Sequence, residues 1–299
     1  MAELNLTQSR APRWLDRRFT PPPLPPAYSV NLVSNAREFR ESLRLRYEVF
    51  NLELREGLQS SHSTGHDFDP FDAVTDHIVV KCAYSHRVVG TYRLQTGKTA
   101  ARHLGYYSEQ EFDFSPYEPL RSQILELGRA CIHHDHRNAN VLMLLWKAIA
   151  RYGIQHGCRY LIGCSSLTSQ NPATGATVYS KLKDFLALPE FQTTPQPAYA
   201  CDLNSEVDTG DEAKVPKLLR AYLAVGARIC GPPALDERVQ DDRFSHSAGS
   251  GRRAERAVRP GDLLARPAFY FTRVFLISFI ATLASFTPSS LNFVPRALL

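Results

Sequence analysis

The stretch that decides the fold is ILELGRACIHHDHRNANVLMLLWKAIARYG, residues 124–153. It begins as a short apolar run that carries Glu126 and Arg129, passes through a histidine-rich turn, and continues with apolar residues at helical spacing. The next apolar run, RYLIGCSSL (159–167), predicts another strand, so the whole forms a β–α–β unit. Two charged side chains inside an otherwise apolar strand are the first candidates for function.

Outward from this stretch, the apolar pattern predicts further elements on both sides. Two β-rich runs are separated only by Ser-His-Arg, residues 85–87, which predicts a hairpin. The predicted elements are a helix over 35–54, strands over 77–84 and 88–96, and helices over 176–188 and 215–226. Their order predicts an α/β fold, a mixed sheet with helices on both faces.

The formal net charge of +5 is unevenly distributed along the 299 residues. From Arg243 onward, eight arginines against two acidic residues give +6, so residues 1–242 carry −1. A nearly neutral body does not predict binding to nucleic acid. None of the six cysteines forms a C-x-x-C pair, which predicts buried free thiols in a reducing cytosol.

Composition divides the chain into three parts. Residues 1–27 end in the run PPPLPP, which cannot join a helix or a central strand and predicts a flexible leader. Residues 28–236 carry the predicted elements as one domain, and residues 237–299 form an atypical, poorly ordered tail that is first Arg-rich and then apolar. Charges from Glu3 onward argue against a signal peptide, so a cytoplasmic protein is expected.

The turn between the strand and the long helix is a candidate anion site. A helix N-terminus presents free amides and a favourable dipole to negative charge, and acyl-CoA-dependent N-acyltransferases bind the pyrophosphate of their donor at such a turn. Here the turn contains no glycine, but it offers His136, Arg137, Asn138 and the small Ala139. The alternative is an ordinary turn with solvated polar side chains. The neighbouring histidines lack metal-ligand spacing, so no metal is predicted.

Several separated blocks make the chain resemble the bacterial L-ornithine Nα-acyltransferases, which make lyso-ornithine lipid, are often labelled hemolysin-like, and belong to the N-acetyltransferase-like (GNAT) superfamily. The resemblance covers residues 28–236. The blocks include RLRYEVFNLEL (44–54), DFDPFDAVTDHIVV (67–80), VVGTYRLQ (88–95), SEQEFD (108–113), ILELGRACIHHDHRN (124–138) and VPKLLRAYLAVGARICGPPALD (215–236). The plan is also similar to that of the acyl-homoserine-lactone synthases.

This resemblance implies a GNAT-like fold and an N-acyltransferase. Its donor would be acyl carrier protein, which carries a 3-hydroxyacyl chain on phosphopantetheine. Its acceptor would be the α-amine of ornithine or a similar small amine, in the first step of ornithine lipid synthesis. No cofactor beyond the donor is implied. The alternatives are an acyl-homoserine-lactone-type signal synthase and an inactive protein that only binds the carrier or a membrane.

The resemblance also implies roles for individual residues. Glu126 would be the base that deprotonates the amine, and the alternative is a structural carboxylate that caps backbone amides. Arg129, three residues on, is expected to leave the opposite face of the strand unless a bulge intervenes, and to reach the acidic loop or the opening helix. Substrate binding is assigned to Arg46, Asp69, Asp72, Asp76, Arg93 and Arg129. Donor binding is assigned to His136, Arg137, Asn138, Ala139 and Gly163.

The acidic loop, with four aspartates within residues 67–76, has two open interpretations. Its carboxylates could recognise a cationic acceptor, or they could cap turns in a solvated loop. An EF-hand is excluded because the run has no closing glutamate and no glycine at its sixth position.

The end of the chain departs from the resemblance. Residues 237–267 are polar and show no strand periodicity, so the sheet is expected to lack its last strand. Residues 268–286 are apolar around Arg273 and too short in their uninterrupted part to span a bilayer. Either peripheral contact with the inner membrane or a disordered tail is expected there.

Overall fold

The computed structural model describes residues 27–55, 57–167, 169, 171–203, 214–235 and 272–279, the last range as backbone only. The predicted leader, except for its final residue, therefore lies outside the described residues. So does most of the predicted tail.

Within the described residues, the core is a seven-stranded mixed sheet in the order β1-β2-β3-β4-β5-β7-β6. All neighbouring strands are antiparallel except β4 and β5, which are parallel. The prediction of a mixed, GNAT-like sheet is confirmed. The strands are β1 (Tyr28–Leu32), β2 (Asp76–Cys82), β3 (Val88–Thr96), β4 (Ile124–Ile132), β5 (Tyr160–Leu167), β6 (Arg228–Ile229) and β7 (Thr272–Phe279).

Helices cover both faces of this sheet. Alternate residues of a strand point to opposite faces, and in β2 Val80 packs in the cluster of the long helix while Val79 packs with the opening helix. Asparagine side chains cap the first turns of both helices, Asn35 on the opening helix and Asn138 on the long one. The helices are α1 (Ala36–Arg46), α2 (Ser61–Thr64), α3 (Gly97–Arg102), α4 (Ala139–Gln155), α5 (Pro172–Lys181) and α6 (Lys217–Ala224).

The opening helix changes its winding where the site begins. The sequence predicts one helix over 35–54, but the α-helical part ends at Arg46 and a π-helix continues over Tyr47–Glu53. π-helical turns are frequent at functional sites, and this one carries Phe50 and Glu53. A second correction concerns α5, which begins at Pro172 behind the Asn171 cap, four residues before the predicted helix.

The expectation that the sheet lacks its last strand is wrong. Thr272–Phe279 forms β7, which pairs antiparallel with β5 on one side and with the short β6 on the other. This part of the apolar end therefore joins the sheet, where the sequence favoured membrane contact or disorder. None of the helices in the described part of the chain is long and apolar enough to cross a bilayer.

The two parallel strands pair only at their beginning. Residues 124–126 pair with residues 160–162, and beyond Glu126 the two strands no longer pair. At this point a Cβ on Gly163 would lie 2.6 Å from the carbonyl oxygen of Leu127. Gly163 therefore permits a close approach between the strands just where their pairing ends, and its predicted contact with the donor stays a prediction.

Replacing Gly163 by alanine is expected to lower the free energy of unfolding by about 1–3 kcal/mol, because the added methyl group meets backbone that must shift. Urea denaturation measures this loss. The matched control is Gly175→Ala in α5, whose added Cβ meets only ordinary contacts at 3.5 Å or more. Equal losses in the two variants would show that crowding at Gly163 is not the cause.

Candidate active site

Arg46 holds the acidic loop against α1. Its side chain is fully buried, its Nε donates to Asp67 Oδ1 at 2.7 Å, and its two terminal nitrogens donate to the two oxygens of Asp72 at 2.6 and 2.8 Å. Such a bidentate pair fixes both position and orientation of the carboxylate. Arg46 therefore orients the two aspartates, and its predicted role in substrate binding stays a prediction.

Arg93 of β3 binds the same loop from the sheet. Its Nη1 donates to both oxygens of Asp69 at 2.6 and 2.7 Å and to Asp72 at 3.2 Å. The guanidinium carbon lies 5.4 Å from the ring centre of Phe71 and 5.6 Å from that of Tyr107. These cation–π contacts and ion pairs connect the loop to the turn that carries Tyr107.

A β-bulge in β4 sets the direction of Arg129. Between the pairs Thr91–Cys131 and Arg93–Gly128, β4 contains one residue more than β3. Arg129 has a φ of 49°, in the left-handed region, which costs a non-glycine residue roughly 1–2 kcal/mol. Bulges re-aim side chains beside active sites. The sequence predicts that Arg129 leaves the strand face opposite Glu126 unless a bulge intervenes, and this bulge is present.

Arg129 contacts both of its predicted partners, the acidic loop and the opening helix. Its Nη2 donates to Asp69 Oδ2 at 3.2 Å, its Nε lies 3.6 Å from Asp67 Oδ1, and its guanidinium carbon lies 5.9 Å from the Phe50 ring centre. Burial disfavours its charge, but the neighbouring aspartates outweigh burial and raise its pKa above the usual range. The prediction that Arg129 contacts the acidic loop or the opening helix is confirmed for both.

Three arginines and three aspartates thus form a charge-balanced cluster: Arg46, Arg93, Arg129, Asp67, Asp69 and Asp72. Burial opposes ionisation of Asp69, but the charges of Arg93 and Arg129 outweigh it and hold the pKa below its usual range. The aspartates do cap a turn, since Asp69 accepts from the Phe71 amide, but they are buried and not solvated. Little uncompensated negative charge remains for an acceptor.

Asp76 lies apart from this cluster. It is exposed, and its carboxylate accepts a hydrogen bond of 2.5 Å from the hydroxyl of Tyr152 in α4. Its neighbour His77 points the other way, towards Phe39 of α1. Asp76 therefore lies on the α4 side of the sheet, on the face opposite this cluster, and its predicted role in acceptor binding stays a prediction.

Glu126 accepts three hydrogen bonds from one turn. The Tyr107 amide donates to Oε2 at 2.7 Å, while the Ser108 amide and hydroxyl donate to Oε1 at 2.8 and 2.5 Å. Burial raises the pKa of Glu126 to about 7, against the opposing effects of these hydrogen bonds and of Arg93. The carboxylate caps amides, as the alternative interpretation expected, and it is also poised to exchange a proton near neutral pH.

Glu126 occupies the last position at which β4 and β5 pair, opposite Ile162. In register with Glu126 on its other side is Gln95 of β3, whose side-chain amide donates to the Gly105 carbonyl at 2.7 Å. Glu126 and the ionic cluster share the face of the sheet that packs against α1, since Arg93 and Gln95 are alternate residues of β3. The carboxylate therefore lies beside the point where the strands part.

The β4–α4 turn is occupied by contacts from the rest of the protein. Arg137 makes a bidentate ion pair with Glu53 of the π-helix, at 2.5 and 2.7 Å. Asn138 accepts from the amide of Val141, three residues on, and donates to the hydroxyl of Tyr28, which also bonds to His136. Ala139 is the first residue of α4. One first-turn amide is thus already capped, and donor binding by these four residues stays a prediction.

The histidine turn also holds three ligand atoms close together. One atom each from His133, His134 and Asp135 lies within 4.8 Å of the others. The Nδ1 of His133 already accepts from the Asp135 amide at 3.3 Å, and the side chains of His134 and Asp135 are mostly exposed. These features give a metal little preorganisation, and the expectation of no metal stays a prediction.

Sequence reasoning missed the residues that support the site from a distance. Ser108 and Tyr107, Glu53 and Tyr28 act through hydrogen bonds between segments far apart in the chain. Ser108 belongs to the block SEQEFD (108–113), which contributed to the predictions only as part of the family resemblance. Nothing in its local pattern indicates that its hydroxyl meets a glutamate 18 residues later.

Comparison with known proteins adds the following matches. A family model described as an acetyltransferase (GNAT) domain matches residues 45–147. The chain is 33% identical over 220 residues to the L-ornithine N(alpha)-acyltransferase of Rhodobacter capsulatus, covering 69% of this chain and 83% of that protein. It is 30% identical over 221 residues to the enzyme of that name from Agrobacterium fabrum, covering 69% and 75%. A solved CoA-dependent acyl-homoserine lactone synthase superposes with a TM-score of 0.45 at 14% identity, over 89% of this chain and 86% of that one.

Proposed function

Because the chain belongs to the L-ornithine Nα-acyltransferase family, we propose that it transfers a 3-hydroxyacyl chain from acyl carrier protein to the α-amine of ornithine. The observation that carries this proposal is the 33% identity along 83% of a relative of that name. The chain is an N-acyltransferase with a GNAT domain. The product would be lyso-ornithine lipid, and the reaction would then be the first step of ornithine lipid synthesis.

Glu126 is the proposed base. The α-amine of an amino acid is mostly protonated at neutral pH and cannot attack a thioester until it loses a proton. A carboxyl group with a pKa of about 7 is part ionised under these conditions, and it can accept that proton directly or through one water. The amine nitrogen then bonds to the thioester carbonyl carbon, the carbon–sulfur bond breaks, and the second amine proton leaves with the carrier thiol.

The acceptor would meet the ionic cluster at its least buried edge, formed by Asp69 and Arg129, whose side chains are 11% and 13% exposed. An amino acid carries a carboxylate and an ammonium group, and this edge offers one charge of each sign. The geometry supports an orienting role for the edge more than recognition by an acidic loop alone, because the loop is neutralised by three arginines.

The donor would approach the β4–α4 turn, where Arg137 is a partly exposed cation two residues before the start of α4. A phosphodiester would compete with the Glu53 carboxylate for the planar fork of Arg137. A carrier with a single phosphate needs fewer amides than CoA does, which suits a turn whose first amide bonds go to Asn138. The lipid product suits a cytoplasmic enzyme in peripheral contact with the inner membrane.

The full chain, purified and incubated with 3-hydroxyacyl carrier protein and ornithine, is expected to release free carrier thiol and to form Nα-(3-hydroxyacyl)ornithine. Tandem mass spectrometry distinguishes the α-amide from the δ-amide. Acyl-CoA in place of the carrier tests the donor, and S-adenosylmethionine in place of ornithine tests the signal-synthase alternative. A lactone as the sole product would favour that alternative, and no product with any donor would favour a binding protein without activity.

A further inference from the structure

The two oxygens of Glu126 are held unequally. A carboxylate oxygen has two lone pairs near the carboxylate plane. Oε1 accepts from both the amide and the hydroxyl of Ser108, so its lone pairs are filled, whereas Oε2 accepts only from the Tyr107 amide. Among the residues that the structure describes, Oε2 has this one hydrogen-bond donor, which leaves one of its lone pairs for a donor on the acceptor.

The turn that supplies these donors is itself firmly anchored. Ser108 is fully buried in the short 3₁₀ turn Tyr107–Gln110, and its carbonyl accepts from the Phe112 amide at 2.9 Å. Before the turn, the Gly105 carbonyl accepts from Gln95 of β3. Arg121, which follows the turn in the chain, forms an ion pair with Glu109 of the turn, and its guanidinium lies over the ring of Tyr106. The Ser108 hydroxyl is thus placed by the fold at 2.5 Å from Oε1.

We infer that Ser108 is a positioning residue that saturates Oε1 of Glu126 and directs the acceptor's proton to Oε2. This inference rests on the proposed function, in which Glu126 is the base. A donor hydrogen bond to a carboxylate stabilises its ionised form, so the Ser108 hydroxyl also keeps Glu126 available as a base in a buried place.

Other charged and titratable groups also face Glu126. Arg93 from β3 favours its ionised form, while Glu109 from the same turn disfavours it. Tyr106, whose own pKa is raised mainly by burial and also by the charge of Glu126, lies on the turn as well. Among these groups, the Ser108 hydroxyl is a neutral donor that can be removed without changing the net charge of the site.

Ser108→Ala is expected to move the acidic limb of the kcat/KM profile to higher pH by about one unit, the size of one hydrogen bond to a charged group. Activity should fall about tenfold on the acidic limb and return to within about twofold of wild type on the alkaline plateau. Ser108→Cys, with a weak donor of similar size, should give a smaller shift. Titration of ornithine itself is common to all variants and cancels in the comparison.

The matched control is Ser115→Ala, which removes a hydroxyl that donates to the Asp113 carboxylate at 2.7 Å on an exposed turn. It should leave the profile unmoved. A loss of activity in Ser108→Ala that is equal at every pH would mean a structural role and would overturn the inference. Glu126→Gln is measured in parallel: if it stays active, the base assignment fails, whereas an inactive Glu126→Gln with an unmoved Ser108→Ala profile refutes only the role of Ser108.

Discussion

Glu126→Gln is expected to lower the turnover number by about 10²–10³-fold at neutral pH, because the amide that replaces the carboxylate cannot take a proton from the acceptor. In the wild type, kcat/KM should rise with pH until Glu126 ionises at about pH 7 and then level off. The sign follows from the base role, since the protonated carboxyl is inactive. In the glutamine variant, kcat/KM should not show this rise with pH. Stopped assays of carrier thiol release across the pH range measure both effects.

The control for Glu126→Gln is Glu41→Gln, which removes an acid of α1 whose ion pair with Arg37 lies at the surface. Its kinetics should match the wild type. Donor binding by Glu126→Gln, followed with acyl carrier protein in the absence of acceptor, should persist. Near-normal turnover by Glu126→Gln would remove this carboxylate from the mechanism and leave it as a cap for Tyr107 and Ser108.

Arg46→Met is expected to lower the free energy of unfolding by about 3–5 kcal/mol, the usual result when one partner of a buried ion pair is removed. The reason is that Asp67 and Asp72, whose side chains have no exposed surface, then lose the guanidinium that compensates their charges. Because domains are stable by only about 5–15 kcal/mol, the variant should be close to unfolding at ambient temperature. Equilibrium denaturation in urea, followed by circular dichroism, gives the difference.

Two further variants separate buried charge from side-chain size. Arg37→Met removes the exposed partner of Glu41 and should change stability by less than about 1 kcal/mol. Adding Asp72→Asn to Arg46→Met removes one of the stranded charges and should recover part of the loss. If Arg46→Met costs no more than Arg37→Met, the cluster does not hold the loop.

Sequence patterns were sufficient to predict the strands and helices that bury an apolar face. Strands β2 to β5 appear in the sequence as β-rich or apolar runs, and α4 appears as a long run of apolar residues at helical spacing. The pattern failed where the tertiary structure decides the local conformation. The π-helix over Tyr47–Glu53 has ordinary helical spacing, and the apolar residues of β7 fit a strand or a membrane surface equally well until β5 and β6 are seen beside it.

In the site, residue types were predictable and their partners were not. The resemblance selected Arg46, Arg93 and Arg129, yet Arg46 and Asp67 are 21 residues apart and Arg129 and Asp69 are 60 apart. No periodic signal reports such pairs. The acidic loop therefore looked available for a cationic acceptor when its charge was already compensated. The bulge at Arg129 was equally hidden, because a left-handed arginine has no local sequence signature.

The place of β7 in the sheet has a consequence for synthesis. A nascent chain that has emerged only to residue 235 already contains β1 to β6, but β5 still lacks the strand that later fills its outer edge, and β6 has no neighbour on that side. Until the final segment leaves the ribosome, that edge exposes unpaired amides and carbonyls, which other extended chains can join. Premature termination before Thr272 should therefore yield aggregation or chaperone capture instead of a smaller soluble enzyme.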